Sequence, residues 1–128
     1  MELTLVNNEP KYWEFIRTLR NLDSVKQGFI QQQEITYEQQ QTYMKEYNSC
    51  FYVCLADGNP VGYVGVIDND IRVATHPEHQ GKKIGQFMIN KLMYIYPNAF
   101  AKVKINNEAS LKLFESCGFK LKYYILEK

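Results

Sequence analysis

The chain has 128 residues, 15 basic against 14 acidic side chains for a formal net charge of +1, and ten tyrosines and seven phenylalanines. That is enough chain for one buried core and too little for two; the charge balance excludes a nucleic-acid-binding surface, and the aromatic content argues against disorder. No apolar run approaches the roughly 20 residues that span a bilayer, and "MELTLVNNEP" has no signal-peptide pattern, so a cytoplasmic chain without membrane contact is expected.

"LTLV" at 3–6 reads as a short strand. Pro10 then opens a helix, "KYWEFIRTLRNL", with Trp13, Phe15, Ile16, Leu19 and Leu22 near helical spacing. "TYEQQQTYMKEY" is a second helix, in which Thr36 and Gln39 have the spacing of a capping box. From Phe51 the period changes to that of strands. "FYVCL", "VGYVGVI" and "IRVAT", separated by the turns "ADGNP" and "DND", predict three antiparallel strands. A third helix follows, with Ile84, Phe87, Met88, Leu92 and Ile95 on one face and Pro97 ending it. "AFAKVKI" (99–105) alternates like a strand, with Lys102 and Lys104 outward. "NNEASLKLFESCGF" is a helix with an asparagine cap and Gly118 as its left-handed terminator. "KLKYYILE" predicts a final strand. The order is that of an α+β domain with one β-α-β crossover.

Cys50 and Cys54, four apart in an expected strand, would stand roughly 13 Å from each other, too far for a disulfide. Three cysteines in this pattern fit a reduced chain. His76 and His79 have no cysteine or acidic set at zinc-like spacing, so no metal is expected.

"HPEHQGKKIGQFMINKL" (76–92) places two glycines and two lysines where a helix begins. A helix N-terminus presents unpaired N–H groups and about half a positive charge, which suits a phosphate. Gly81 and Gly85 permit the turn and a close backbone approach, and Lys82 and Lys83 add charge. The plain structural alternative is a glycine-containing loop with solvated lysines. The spacing is neither that of a P-loop nor that of a dinucleotide fingerprint.

"RVATHPEHQGKKIGQFMINKL" resembles the acetyl-CoA signature of the GCN5-related N-acetyltransferases, a strand, then Q/R-x-x-G-x-G/A, then a helix. Gln80, Lys83 and Gly85 fall on its fixed positions, with Lys83 where glycine is usual. "NEASLKLFESCGF" is similar to the family's downstream segment, matched at Asn107, Ser110, Leu113, Phe114, Gly118 and Phe119. The resemblance covers Val61 to Phe119 in the family's element order. It implies a single-domain α+β fold with a mixed, mostly antiparallel sheet, a central parallel pair (71–75 and 99–105) splayed for acetyl-CoA, and about four helices. It also implies that backbone of Val73, Ala74 and Thr75 meets the pantetheine, that Gln80, Gly81 and the N–H groups of Lys82, Lys83, Ile84, Gly85 and Gln86 hold the pyrophosphate, and that Asn107, Ser110 and Phe114 line the cofactor arm. Lys83 in helical geometry would keep its N–H available. Lys112 is a candidate for the 3′-phosphate, with a solvated helix lysine as the alternative.

The implied activity is acetyl transfer to a primary amine by direct attack in a ternary complex, with acetyl-CoA as cosubstrate and no metal. Relatives often protonate the leaving thiolate with a tyrosine where Phe114 stands here, so Tyr123, Tyr124 or water would have to serve. Glu34, Asp68 and Asp70 are the candidate bases; the alternatives are an ordinary turn for the "DND" of Asp68 and Asp70 and a solvent-exposed loop carboxylate for Glu34. Cys117 has no identifiable base and is not expected to act as a nucleophile. "LRNLDSVKQGFIQQQEITYEQQQTYM" loosely resembles the sugar-nucleotide N-acetyltransferases of pseudaminic-acid synthesis and the ribosomal-protein alanine N-acetyltransferases, matched at Arg20, Asn21 and Phe29. Arg20 is then a candidate for an acceptor phosphate or carboxylate, and Phe29, Tyr37 and Tyr43 for the floor of a sugar site. A small-molecule amine, an aminosugar or a sugar nucleotide, is the expected acceptor, and the chain is expected to be a monomer or homodimer. Three other readings stand beside it: a peptide or protein amine acetyltransferase, an acetyl-CoA-binding module without turnover, and a structural subunit pairing through its last strand.

Overall fold

In the computed structural model, which describes residues 1–128, four antiparallel strands form one sheet in chain order: β1 Leu3–Asn7, β2 Phe51–Ala56, β3 Asn59–Ile67 and β4 Asp70–Thr75. The β2–β3 and β3–β4 hairpins turn on Asp57-Gly58 and Asp68-Asn69, all at positive φ. Two consecutive left-handed residues give the turn whose twist matches the flanking strands. Asp68 is therefore a turn residue. Five helices complete the fold: α1 Pro10–Asn21, α2 Asp23–Lys26, α3 Tyr37–Tyr47, α4 Ile84–Ile95 and α5 Glu108–Ser116.

Strand alternation gives the sheet two apolar faces. Phe51, Val53, Tyr63 and Ala74 meet Trp13, Ile16, Leu19, Val25 and Met44 from α1, α2 and α3. Cys54, Val64, Val66 and Ile71 on the opposite face meet Ile84, Met88, Ile89 and Leu92 of α4. Ile89, absent from the expected apolar face of α4, is fully buried, whereas Ile95 is 49% exposed in the last turn. Between α1 and α3, the buried Gln40 amide donates to the Trp13 carbonyl at 2.8 Å. This satisfies a polar group that would otherwise be costly inside a core.

Helix ends follow the sequence closely. The Thr36 hydroxyl accepts from Gln39 N while the Gln39 side chain accepts from Thr36 N, closing the expected capping box. At the end of α5, Gly118 (φ +91°) donates to Glu115 O, Phe119 N donates to Phe114 O, and the Phe114 and Phe119 rings lie 5.2 Å apart. That is a Schellman stop with its apolar clasp.

Two expected strands are not formed. Residues 99–105 make one parallel bridge, Asp70 to Phe100, through Ile71 N to Phe100 O (2.9 Å) and Phe100 N to Asn69 O (2.8 Å). Beyond Phe100 the segment leaves β4, and Ile105 is 99% exposed. "KLKYYILE" forms no ladder, because the neighbour it would pair with is itself outside the sheet. The central parallel pair is thus a single bridge followed by a gap. Cys50 sits in a 3-10 turn and not in a strand, and all three cysteines are free thiols.

Candidate active site

Where β4 and residues 101–106 part, a cleft of about 1010 Å³ runs from the N-terminus of α4 to the loop between α2 and α3. At its first end, Gly81 (φ +80°) and Lys83 (φ +62°) turn the chain into α4. No side chain caps this helix, and no acidic residue lies in its first turn. The N–H groups of Gly81, Lys82, Lys83, Ile84, Gly85 and Gln86 donate to no protein atom. Lys83 is left-handed and not helical as expected. That conformation suits glycine, and for a side-chain-bearing residue it costs roughly 1 kcal/mol.

The two glycines of the loop do different work. A Cβ on Gly81 would meet nothing within 4 Å, so its conformation alone asks for glycine. A Cβ on Gly85 would stand 2.9 Å from Leu113 Cδ2, so this glycine lets α5 pack closely on α4. Gln80, Gly81, Lys83, Ile84, Gly85 and Gln86 line the cleft; Lys82 lies outside it.

Along the middle of the cleft run Val73, Ala74 and Thr75 of β4, faced by Ser110 and Phe114 of α5. Past Ile71, β4 makes no backbone bond to residues 101–106, leaving its outer edge free to pair with an extended ligand. Asn107 is committed within the protein. Its Oδ1 accepts from Ser110 N at 3.1 Å, and its Nδ2 donates to Gly28 O at 3.0 Å. Lys112 also lines the cleft.

At the far end, the Arg20 guanidinium lies 4.0 Å from the centre of the Phe29 ring, and its Nη2 donates to Gln31 O. Its Nη1 is buried and has no partner. Burial is the main force lowering the Arg20 pKa. Burial also raises the pKa of Tyr43, and raises that of Tyr63 still further, so both hydroxyls stay protonated; the Tyr43 hydroxyl faces the Arg72 guanidinium, which opposes that rise. Glu34 lines this end and is in no ion pair, whereas Asp70 lies 3.7 Å from Arg72 Nε and 3.9 Å from Lys102 Nζ. Asn21 is elsewhere: its amide clamps the Ile35 backbone by two hydrogen bonds of 2.8 Å. Tyr37 is 55% exposed, outside the cleft.

Arg72, Lys102, Tyr63 and His79 also line the cleft, none of them among the site residues expected from sequence. Arg72 was legible in principle. The Asp68-Asn69 turn sets Arg72 opposite Gly65, on the sheet face of Tyr63 and Ala74. Tyr123 and Tyr124 are 83% and 81% exposed in the terminal segment, away from the cleft, so neither is placed to protonate a leaving group. Phe114 is buried against Phe119.

No curated protein matches the chain in sequence. Among solved structures, spermidine N-acetyltransferase from Vibrio cholerae, in complex with CoA and spermine, is similar over 98% of this chain and 85% of its own, with 23% identity and a TM-score of 0.82. An acetyltransferase from Salmonella typhimurium with its cofactor acetyl-CoA is similar over 94% of this chain and 81% of its own (18% identity, TM-score 0.77). Aminoglycoside acetyltransferase AAC(6')-Ib with coenzyme A is similar over 94% and 86% (15% identity, TM-score 0.75). These likenesses concern the fold. The family is shown by the sequence itself, because the Acetyltransferase (GNAT) family model matches residues 13–119. The chain belongs to the GNAT acetyltransferase family.

Proposed function

We propose that this protein transfers the acetyl group of acetyl-CoA to the primary amine of a small molecule, an aminosugar or a sugar nucleotide, by direct attack with both substrates in the cleft. The observation that carries this reading is the run of unpartnered N–H groups from Gly81 to Gln86, opening into the same cleft as the free edge of β4. An anionic diphosphate suits the first, and the amides of a pantetheine arm suit the second. The Vibrio cholerae and Salmonella typhimurium structures contain CoA and acetyl-CoA, which agrees with this assignment.

Acetyl-CoA supplies an activated thioester; this chain supplies position and proton traffic. Backbone of Val73 and Thr75 would hold the arm, and the N–H groups of residues 81–86 its phosphates. An alkylamine with a pKa of about 10.4 is mostly protonated at neutral pH and must lose a proton before it attacks. Glu34, in the cleft and outside any ion pair, is assigned to take that proton, directly or through water. Asp70, between Arg72 and Lys102, is assigned to positioning. Phe114 can donate no proton, so the departing thiolate takes one from solvent or from a hydroxyl such as Ser110.

The test is thiol release from acetyl-CoA over a panel of aminosugars, sugar nucleotides, polyamines and peptides, with mass spectrometry of the product. Acetylation of an aminosugar-type amine supports the proposal. Thermal stabilisation by acetyl-CoA with no thiol release on any amine would instead mark a binding module.

A further inference from the structure

Residues from four elements meet at the acceptor end of the cleft, and the charges they bring are unbalanced. Arg20 comes from α1, Tyr43 from α3, and Tyr63 and Arg72 from diagonal positions on one face of β3 and β4. The Gly65 opposite Arg72 has no room for a side chain, since a Cβ there would lie 2.5 Å from the Phe51 ring. Arg72 therefore has no side chain directly across from it on β3.

The two arginines repel each other: the charge of Arg72 disfavours that of Arg20. No carboxylate offsets this at Arg20, whose charged or titratable neighbours are Tyr63, Arg72 and Tyr43. Glu34 acts on Arg17 instead, and Asp70 is divided between Arg72 and Lys102. Arg20 is held flat on Phe29 and by the Gln31 carbonyl, which fixes its plane while leaving Nη1 buried without an acceptor. An unsatisfied guanidinium N–H in a half-buried cavity is a costly arrangement for the protein alone. A ligand oxyanion at the open side of the guanidinium would relieve the repulsion and, with a small turn of the side chain, give Nη1 an acceptor; planar donors of this kind suit carboxylate and phosphate.

We propose that the acceptor carries an oxyanion, a carboxylate or a phosphate, in addition to its amine, and that this group seats between Arg20 and Arg72 with the Tyr43 and Tyr63 hydroxyls beside it. The proposal rests on the acetyltransferase reading for the amine, but the anion seat is testable by binding alone. Its purpose would be selection, since a polycation entering this end would face two guanidiniums.

The test is calorimetric titration of the full chain, saturated with coenzyme A, using matched ligands: glucosamine 6-phosphate against glucosamine, serine against ethanolamine, and spermidine as a polycation. The anionic member of at least one pair should bind about tenfold more tightly than its neutral partner. That advantage should fall about fivefold or more in both Arg20→Gln and Arg72→Gln. Arg20→Lys, which keeps the charge and loses the planar fork, should fall between. A response confined to the sugar pair identifies phosphate as the seated group; one confined to the serine pair identifies carboxylate. Neutral ligands or spermidine binding as well as the anionic ones, a preference that survives both glutamine variants, or no binding by any ligand would overturn the proposal. Thiol release with acetyl-CoA separates it from the reading beneath it. Preferential binding of an anionic amine that is never acetylated would sink the catalytic reading and leave the anion seat standing. Acetylation of amines with no anionic preference would do the reverse.

Discussion

Asn107 and Gly28, 79 residues apart in sequence, are joined by a 3.0 Å hydrogen bond from the Asn107 Nδ2 to the Gly28 carbonyl. The same amide, through its Oδ1, caps α5 at Ser110 N. One side chain thus starts α5, which walls the middle of the cleft, and anchors the loop that carries Phe29 at its far end.

These two roles can be separated. Asn107→Asp keeps an oxygen to cap α5 and removes the donor to Gly28; Asn107→Ala removes both. The alanine variant should lose roughly 1–2 kcal/mol of stability, cap and clamp together. The aspartate variant should lose less stability yet raise the acceptor KM, because the Gly28–Phe29 loop is released. Urea unfolding and steady-state kinetics on the two variants check this. Equal acceptor KM in wild type and Asn107→Asp would mean that the clamp does not position the acceptor loop.

Lys83 holds a left-handed conformation at the start of α4. Lys83→Gly should raise stability by roughly 1 kcal/mol, through release of Cβ strain. Because the backbone is unchanged, acetyl-CoA should still bind. A chemical-denaturation midpoint that does not rise in this variant would argue against the strained turn.

Cys54 is fully buried, and burial alone raises its thiol pKa from 9.0 to about 11. A group whose folded pKa is raised contributes stability below its unfolded pKa and loses that contribution as pH climbs to the folded value. The loss should therefore run from about pH 9 to about pH 11 and amount to roughly 3 kcal/mol. Tyr52, raised from 10.0 to about 12 chiefly by its hydroxyl contact with Tyr96, extends the decline upward. Cys54→Val keeps the core filled and removes the ionising group. Its urea midpoint should hold through the lower part of that window while wild type declines; parallel declines would contradict the assignment.

Local chemistry made most of the scaffold readable. Asp-Gly and Asp-Asn turns, the Thr36–Gln39 box and the Gly118 stop each carry their own geometric requirement within a few residues. The missing strands show the limit of that reading. "AFAKVKI" and "KLKYYILE" have strand-like composition, yet a strand exists only where a neighbour supplies hydrogen bonds, and β4 meets residue 100 alone. The site divides the same way. The 80–86 loop is a contiguous motif, and its turn into α4 was legible. Arg72 depends on hairpin register, and the commitments of Asn21 to Ile35 and Asn107 to Gly28 depend on distant backbone. Gly85 has a packing reason that the motif does not show, since its missing side chain makes room for Leu113.

The central claim is that unpartnered amides at the start of α4 grip the diphosphate of acetyl-CoA, and amide nitrogen–proton NMR spectra during a coenzyme A titration test it most directly. The resonances of Gly81 to Gln86 should move together and saturate with a single Kd, with smaller shifts at Val73 and Thr75. Saturable shifts concentrated elsewhere, with residues 81–86 unmoved, would contradict the account.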